Sequence, residues 1–360
     1  MIPRTLGVCS DAPEPFVARL NYEQARHHGD YDAVRMIDAP GEMAFAGRSG
    51  FFTIATQGQD LDGDVVLVDP AHGAAERIIR SSSRHNSLLI TERCDQLCVM
   101  CSQPPKKTHV DRFRYFREAC LLAPTNAVIG ASGGEPTLYK EELLGLVDAT
   151  LLERPDLKFH ILSNGQHFDM FDLERLRQKH YRQVTWGIPL YSADPQTHDQ
   201  IVAKVGAFER LEKSLHVLLL AGANIELRTV VMQATVLGLA DLALHLAARL
   251  SFITTWSIMQ LENIGFAKNR WSQLYYDHAT DFIPIAHALD RAAVNEVSSR
   301  LFNFPLCTVP ARYRRLAPAS ISDWKRKYAP TCDSCSARHD CSGFFEWHPS
   351  QGLMEGVKPL

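Results

Sequence analysis

The chain is predicted to be an α/β protein, and three observations carry that prediction. From Ser87 to about residue 300, strand-like and helical segments alternate without a break. The stretch before Ser87 reads as short β-strands, and the stretch after 300 is short of long apolar runs but rich in cysteine. Strands alternating with helices imply a parallel sheet covered by helices. Six such units, rather than eight, predict a partial, TIM-like (β/α)6 barrel. The expected organisation is a small β-rich N-terminal extension over 1–86, the partial barrel over 87–300 and a Cys-rich C-terminal region over 301–360.

Taken in order, the N-terminal residues Met1-Ile2-Pro3-Arg4 give way to polar sequence, which is not the pattern of a signal peptide. Phe51–Ala55 and Val65–Val68 have strand composition and flank a turn region from Gly58 to Gly63. Ala75–Arg80 is a third candidate strand, and Ser81-Ser82-Ser83-Arg84-His85-Asn86 is a polar linker. The strands of the main domain are expected at 87–92, 127–131, 158–162, 183–190, 225–232 and 255–261. Between them, apolar residues recur at three- and four-residue steps. Phe208, Leu211, Leu215, Leu218 and Leu219 make one such stripe, ended by Gly222; Leu143, Leu144, Val147 and Leu151 make another, ended by Pro155.

A length of 360 residues is enough for a sizeable core. The formal net charge of −3 offers no electrostatic case for a nucleic-acid or anionic-membrane partner. No apolar run approaches the ~20 residues that cross a bilayer, so a cytoplasmic location is expected. In that reducing setting the nine cysteines are a high count, and clustered ones read as metal ligands rather than bridges. Seven fall in two groups: Cys94, Cys98 and Cys101, then Cys307, Cys332, Cys335 and Cys341. Cys9 and Cys120 are left as a surface or loop thiol and a small buried residue.

The first group lies in Leu88-Leu89-Ile90-Thr91-Glu92-Arg93-Cys94-Asp95-Gln96-Leu97-Cys98-Val99-Met100-Cys101, where a strand runs directly into a C-x3-C-x2-C loop. Three thiolates on so short a loop can converge on one metal centre. Three cannot fully coordinate a four-iron cluster, so one iron keeps an open site. The other reading is a structural zinc, which needs a fourth ligand, for which His109 is available. The loop resembles the cluster-binding loop of the radical S-adenosylmethionine (SAM) enzymes, with Met100 where that family usually has an aromatic residue. The resemblance implies a 4Fe-4S cluster on Cys94, Cys98 and Cys101 whose open iron binds SAM, and a half-open six-unit (β/α) barrel as the core. In barrels the chemistry sits at the C-terminal ends of the strands, where this loop lies.

The other strand ends extend the resemblance. After the second strand, Gly133-Gly134-Glu135-Pro136 resembles the family's Gly-Gly-Glu-Pro motif. Paired glycines let backbone approach a ligand closely, and Glu135 is an acceptor for the amino group of SAM. After the third strand, Ser163-Asn164 is either a polar strand end near SAM or a turn. The fourth strand ends in Ser192-Ala193-Asp194, with Ser192 implied near the ribose and His198 and Asp199 read as helix-capping residues. Arg228 lies among apolar residues of the fifth strand, and a buried arginine needs an anion. Its planar fork suits a carboxylate: that of SAM, or Glu226 or Glu262 in a structural pair. After the sixth strand, Leu261–Gly265 is where the family packs backbone on adenine.

Cys332-x2-Cys335-x5-Cys341, with Cys307 upstream, resembles the SPASM and twitch-type auxiliary-cluster regions of peptide-modifying radical SAM enzymes. Four thiolates suffice for one fully ligated 4Fe-4S cluster suited to electron transfer or bracing; a structural zinc is the alternative. Arg312, Arg314, Arg315, Lys325, Arg326 and Lys327 form a basic run, read as a solvated face or as compensation for thiolate charge or a docking face for an acidic leader peptide.

More narrowly, Thr91–Cys94, Cys101–Lys106 and Cys341–Phe345 resemble radical SAM maturases of the His-Xaa-Ser system, HxsC type. That implies a ribosomally synthesised precursor peptide as substrate, reductive cleavage of SAM to a 5′-deoxyadenosyl radical, a reductant such as flavodoxin or ferredoxin, and a companion radical SAM protein. No residue is assigned as catalytic acid or base. The alternatives are a radical SAM enzyme acting on a small molecule or RNA, and a non-catalytic zinc scaffold.

Overall fold

The computed structural model describes residues 4–23, 29–349 and 357–360; Met1, Ile2 and Pro3 lie outside them. The chain divides into two compact units. One comprises Met1–Ile90, Val110–Ser132 and Tyr139–His160; the other comprises Thr91–His109, Gly133–Leu138 and Ile161–Leu360.

In the first unit, β1 (Thr5–Ser10), β2 (Phe16–Asn21), β3 (Asp32–Ala39), β4 (Glu42–Gly47), β5 (Gly50–Ala55), β6 (Val65–Asp69) and β7 (Ala74–Ile79) close into a barrel. The order is β1-β5-β4-β3-β2-β6-β7, and closure comes from β1 pairing antiparallel with both β5 and β7. Leu20, Phe45, Phe52, Ile54 and Val66 fill the interior. Arg77 and Asp64 form an ion pair within the fold, each side chain at most 2% exposed. Such a charge is tolerated in a core only when paired. The same unit holds α1 (Phe113–Leu121), which buries Cys120, and α2 (Lys140–Glu153), which buries Leu143, Leu144, Val147 and Leu151.

This closed seven-stranded barrel corrects the expectation of a small extension with three strands. The three legible strands correspond to β5, β6 and β7. Of the others, β3 breaks the two-residue alternation: Met36, Ile37 and Asp38 are all exposed, and the register against β4 shifts between Arg35 and Ile37.

The second sheet contains β8 (Asn86–Thr91), β9 (Val128–Gly133), β10 (Lys158–Leu162), β11 (Val184–Pro189), β12 (Asn224–Val231), β13 (Thr255–Gln260) and β14 (Ser299–Phe302), ordered as they occur in the chain. The pairs β11–β12, β12–β13 and β13–β14 are parallel. The expected six strands all appear, within two residues at each end. The correction is a seventh, β14, which at four residues with Ser299 and Arg300 among them gives no apolar run to detect.

In the second unit the helices are α3 (Leu173–Leu176), α4 (Pro195–Val202), α5 (Ala207–Ala221), α6 (Leu239–Arg249), α7 (Phe266–Asn269), α8 (Trp271–Leu274) and α9 (Ile283–Val294). Asp194 caps α4 by accepting from Thr197 N at 2.7 Å, and Gly222, at φ +65°, ends α5 in the left-handed conformation. Trp186 and Trp256 are fully buried in the strands. Trp256 Nε1 donates to Thr229 Oγ1 at 2.9 Å, and that hydroxyl donates to the Leu190 carbonyl at 2.6 Å. Beyond β14 the chain is mostly short turns, with one two-stranded ladder of β15 (Arg326–Lys327) and β16 (Phe344–Phe345). Among the described residues, no helix is long and apolar enough to cross a membrane.

Candidate metal and cofactor site

Cys94, Cys98 and Cys101 follow β8 on a loop whose backbone is held at several points. Leu97 N and Val99 N donate to the Val202 and Ile201 carbonyls at the end of α4, at 3.2 and 2.9 Å. Arg270 donates to the Val99 carbonyl at 2.9 Å, and Phe266 N to that of Cys101 at 2.9 Å. Gly265, at φ +60°, makes the last contact possible, since a Cβ there would stand 2.3 Å from Cys101 O. Met100 is 7% exposed and packs with Tyr191, Ile201, Met232 and Leu261.

Burial pushes the Cys94 and Cys98 thiols up to about 12; Glu135, Asp95 and Cys101 add to the rise at Cys94, and Cys101, Cys94 and Glu135 add to that at Cys98. Burial raises Cys101 as well. These mutual effects place the three sulfurs in one neighbourhood. Tyr191, 8% exposed, is raised first by burial and then by Cys98, against an opposing pull from Arg228. His109, the available fourth ligand for zinc, instead has Nδ1 3.1 Å from Thr91 Oγ1. Among the described residues, no three His, Cys, Asp or Glu side chains are grouped so as to hold one metal ion.

The two glycines serve the chain itself. A Cβ on Gly133 would lie 2.0 Å from Thr91 O, and one on Gly134 would lie 2.1 Å from Arg93 O. Their absence lets Gly134 N and Glu135 N donate to those two carbonyls, each at 2.7 Å. The Gly-Gly-Glu turn and the start of the cysteine loop thus form one backbone assembly. Glu135 is wholly buried, and its carboxylate accepts from Thr137 N, Thr137 Oγ1, Ser163 Oγ and Asn164 N. Burial raises its pKa and these hydrogen bonds oppose the rise. In the structure the Glu135 carboxylate is an internal acceptor whose four contacts shape the turn.

Ser163 and Asn164 are both buried in this network, and Asn164 Nδ2 also donates to Asp95 Oδ1 at 2.8 Å. Ser192 Oγ accepts from Asp194 N at 3.0 Å, a local turn contact. Asp199 accepts from Gly206 N and Phe208 N at the start of α5, as a capping residue does, whereas His198 is buried within α4. Arg228 lies 3.9 Å from Glu226 Oε2 and 3.2 Å from the sulfur of Met259, both weak contacts for a guanidinium. Glu262, the other proposed partner, pairs with Lys325 at 3.3 Å. The sequence reading missed Asp95, His167 and Lys204. They lie far apart in the chain and follow no motif, so no local pattern marks them.

Cys307, Cys332, Cys335 and Cys341 line a single cavity with Tyr328 and Arg338. Leu306 N and Gly343 N both donate to Cys341 Sγ at 3.3 Å, and Leu360 N donates to Cys335 Sγ at 3.3 Å. Burial, followed by neighbouring cysteines, raises Cys307. The basic run is largely spent internally: Arg314 donates to the Leu306 and Val309 carbonyls around Cys307, Arg312 pairs with Asp290, and Lys327 donates to the His348 carbonyl.

No protein-family model matches the chain, and no curated protein does. Among solved structures, it is similar to Streptococcus suis SuiB bound to S-adenosylmethionine, at 16% identity over 60% of this chain, with a TM-score of 0.49. The match covers 49% of SuiB, so the chain spans about half of that protein's length. It is also similar to anSMEcpe with bound AdoMet and Cp18Cys peptide, at 14% identity over 59% of this chain and 62% of that one, TM-score 0.39. A radical SAM methyltransferase from Sphaerobacter thermophilus matches at 11% identity over 74% of this chain and 75% of its own, TM-score 0.44.

Proposed function

We propose that the chain is a radical SAM enzyme that modifies a ribosomally synthesised precursor peptide. The observation that carries this reading is the backbone assembly in which a three-cysteine loop at the end of β8 is locked to the Gly-Gly-Glu turn after β9. Cys94, Cys98 and Cys101 would hold a 4Fe-4S cluster with one iron left for SAM. The donor set fits. Burial makes these thiols poor acids on their own, and bound iron is the charge that favours their thiolate forms. With SAM bound, that cluster would supply the electron that splits the sulfonium and yields a 5′-deoxyadenosyl radical.

The chain's own residues bind and orient. Arg228 would hold the SAM carboxylate with its fork, with only weak contacts to give up. The backbone of Gly133, Gly134 and Glu135, kept in shape by the Glu135 carboxylate, would meet the SAM amino group. Ser163 and Asn164 support that turn, and Ser192 would serve the ribose. Cys307, Cys332, Cys335 and Cys341 would hold a fully ligated auxiliary cluster, whose potential the backbone N–H donors to sulfur would tune. The peptide substrate, a flavodoxin or ferredoxin reductant and a companion radical SAM protein follow from the sequence resemblance.

Anaerobic purification tests the reading directly. The protein should be brown with about eight iron and eight sulfide per chain, and should convert SAM to 5′-deoxyadenosine on reduction. Mass measurement of candidate precursor peptides after incubation identifies the substrate. A colourless, zinc-loaded protein that leaves SAM intact overturns the proposal.

A further inference from the structure

The polar cluster beside the cysteine loop gives Asp95 a task that the cofactor assignments leave open. Asp95 directly follows Cys94. Its Oδ1 accepts from Asn164 Nδ2 at 2.8 Å; its Oδ2 accepts from Lys204 Nζ and lies 3.1 Å from His167 Nε2. His167 continues through Nδ1 to Thr137 Oγ1 at 2.6 Å, and Thr137 donates to Glu135. One carboxylate therefore joins four segments: the loop after β8, the turn after β9, the residues after β10 and the residue two beyond α4.

Lys204 on one carboxylate oxygen and the Asn164 amide on the other give Asp95 partners from two further segments, and charge-assisted bonds such as that from Lys204 hold geometry tightly. The loop is already fixed by backbone bonds at Leu97, Val99 and Cys101. Asp95 holds its earlier part, and it does so against the residues that carry the Gly-Gly-Glu turn and Asn164.

We propose that Asp95 is a positioning residue: it sets the spacing between the cysteine loop and the segments carrying Glu135 and Asn164, and so sets the affinity for SAM without ligating iron. This rests on the reading of Cys94, Cys98 and Cys101 as cluster ligands. Small displacements of a binding constellation cost affinity far more than they cost the fold.

Asp95→Asn keeps the size of the side chain and removes its charge. In the anaerobically loaded enzyme it should leave iron and sulfide content, and the electron paramagnetic resonance signal of the reduced, SAM-free cluster, as in the parent. KM for SAM should rise about tenfold with kcat within about twofold, and the spectral change induced by SAM should need about tenfold more SAM. His167→Gln should act in the same direction but less, and the double variant should be no worse than Asp95→Asn, because both act through one carboxylate. Lys204→Met removes the charge pairing from the partly exposed side and carries the same expectation if Asp95→Asn does not fold. An unchanged KM and SAM titration in variants of a parent that cleaves SAM overturns the proposal, as does a loss of iron in place of SAM affinity. A parent that takes up no iron overturns the cluster reading itself, and this inference with it.

Discussion

Cys94, Cys98 and Cys101 sit on one loop whose backbone is gripped by the end of α4, Arg270 and Phe266, whereas Cys307, Cys332, Cys335 and Cys341 come from three short turns and line one cavity. In the first group Cys101 Sγ donates to the Gln103 carbonyl at 3.0 Å and Cys98 Sγ to Gln96 Oε1 at 3.5 Å, while a backbone hydrogen bond from Gln96 opposes the rise of Cys94. In the second, Cys335 and Cys341 accept from backbone N–H groups. The second group is wrapped by its own backbone, and the first is held from outside by the fold. On the proposed reading, the first centre would exchange a ligand and the second would only pass electrons.

The sharpest way to break this comparison is to remove one ligand from each group. Cys98→Ala should abolish SAM cleavage, by about a thousandfold or more, while iron falls only to about four per chain. Cys335→Ala should also lose about half of the iron, yet leave 5′-deoxyadenosine formation within about tenfold of the parent and reduce peptide turnover more strongly. Iron analysis with separate assays of SAM cleavage and peptide conversion reads both outcomes. Equal loss of SAM cleavage in the two variants would erase the distinction between an open and a closed centre.

A smaller effect comes from the glycine beside each group. Gly265 is at φ +60° with a Cβ position 2.3 Å from Cys101 O, and Gly343 is at φ +63° with one 2.7 Å from Lys327 O. Alanine at either demands backbone movement and a strained conformation, costing about 2–4 kcal/mol. Gly265→Ala should deplete iron from the SAM-binding group and Gly343→Ala from the auxiliary one. Thermal melts alongside iron counts would separate this selective loss from general unfolding.

How much of this was legible in the sequence depends on the kind of residue. Strands such as β12 bury Ile225, Leu227, Thr229 and Val231 at two-residue spacing, so the second sheet was visible apart from the four-residue β14. The N-terminal barrel was largely hidden, because β3 breaks its alternation with a bulge and three exposed residues. The cysteine spacings singled out the two groups that the structure places on one loop and around one cavity. Glu135 showed only that a carboxylate is present; that it is buried under four donors is a tertiary fact. Asp95, His167 and Lys204 belong to that same class, since a side-chain network across four segments leaves no periodic trace.

The smallest predicted effect returns to the two groups through pH. Behind each lies a buried histidine: His198, whose Nδ1 accepts from Tyr191 N at 3.4 Å, and His278, whose Nε2 is 2.8 Å from Thr308 Oγ1, next to Cys307. Burial lowers both to about 4, from an ordinary value of 6.5. A histidine that resists protonation when folded accepts it readily when unfolded, so its contribution to stability is fully present above pH 6.5 and is lost as pH falls toward 4. By pH 5 each accounts for a loss of about 2 kcal/mol. Tm should therefore fall on going from pH 7 to pH 5, and His198→Gln should fall less than the parent over the same interval. If His198→Gln and the parent lose Tm equally, His198 is not held neutral in the fold, and the match between the surroundings of the two groups fails at that point.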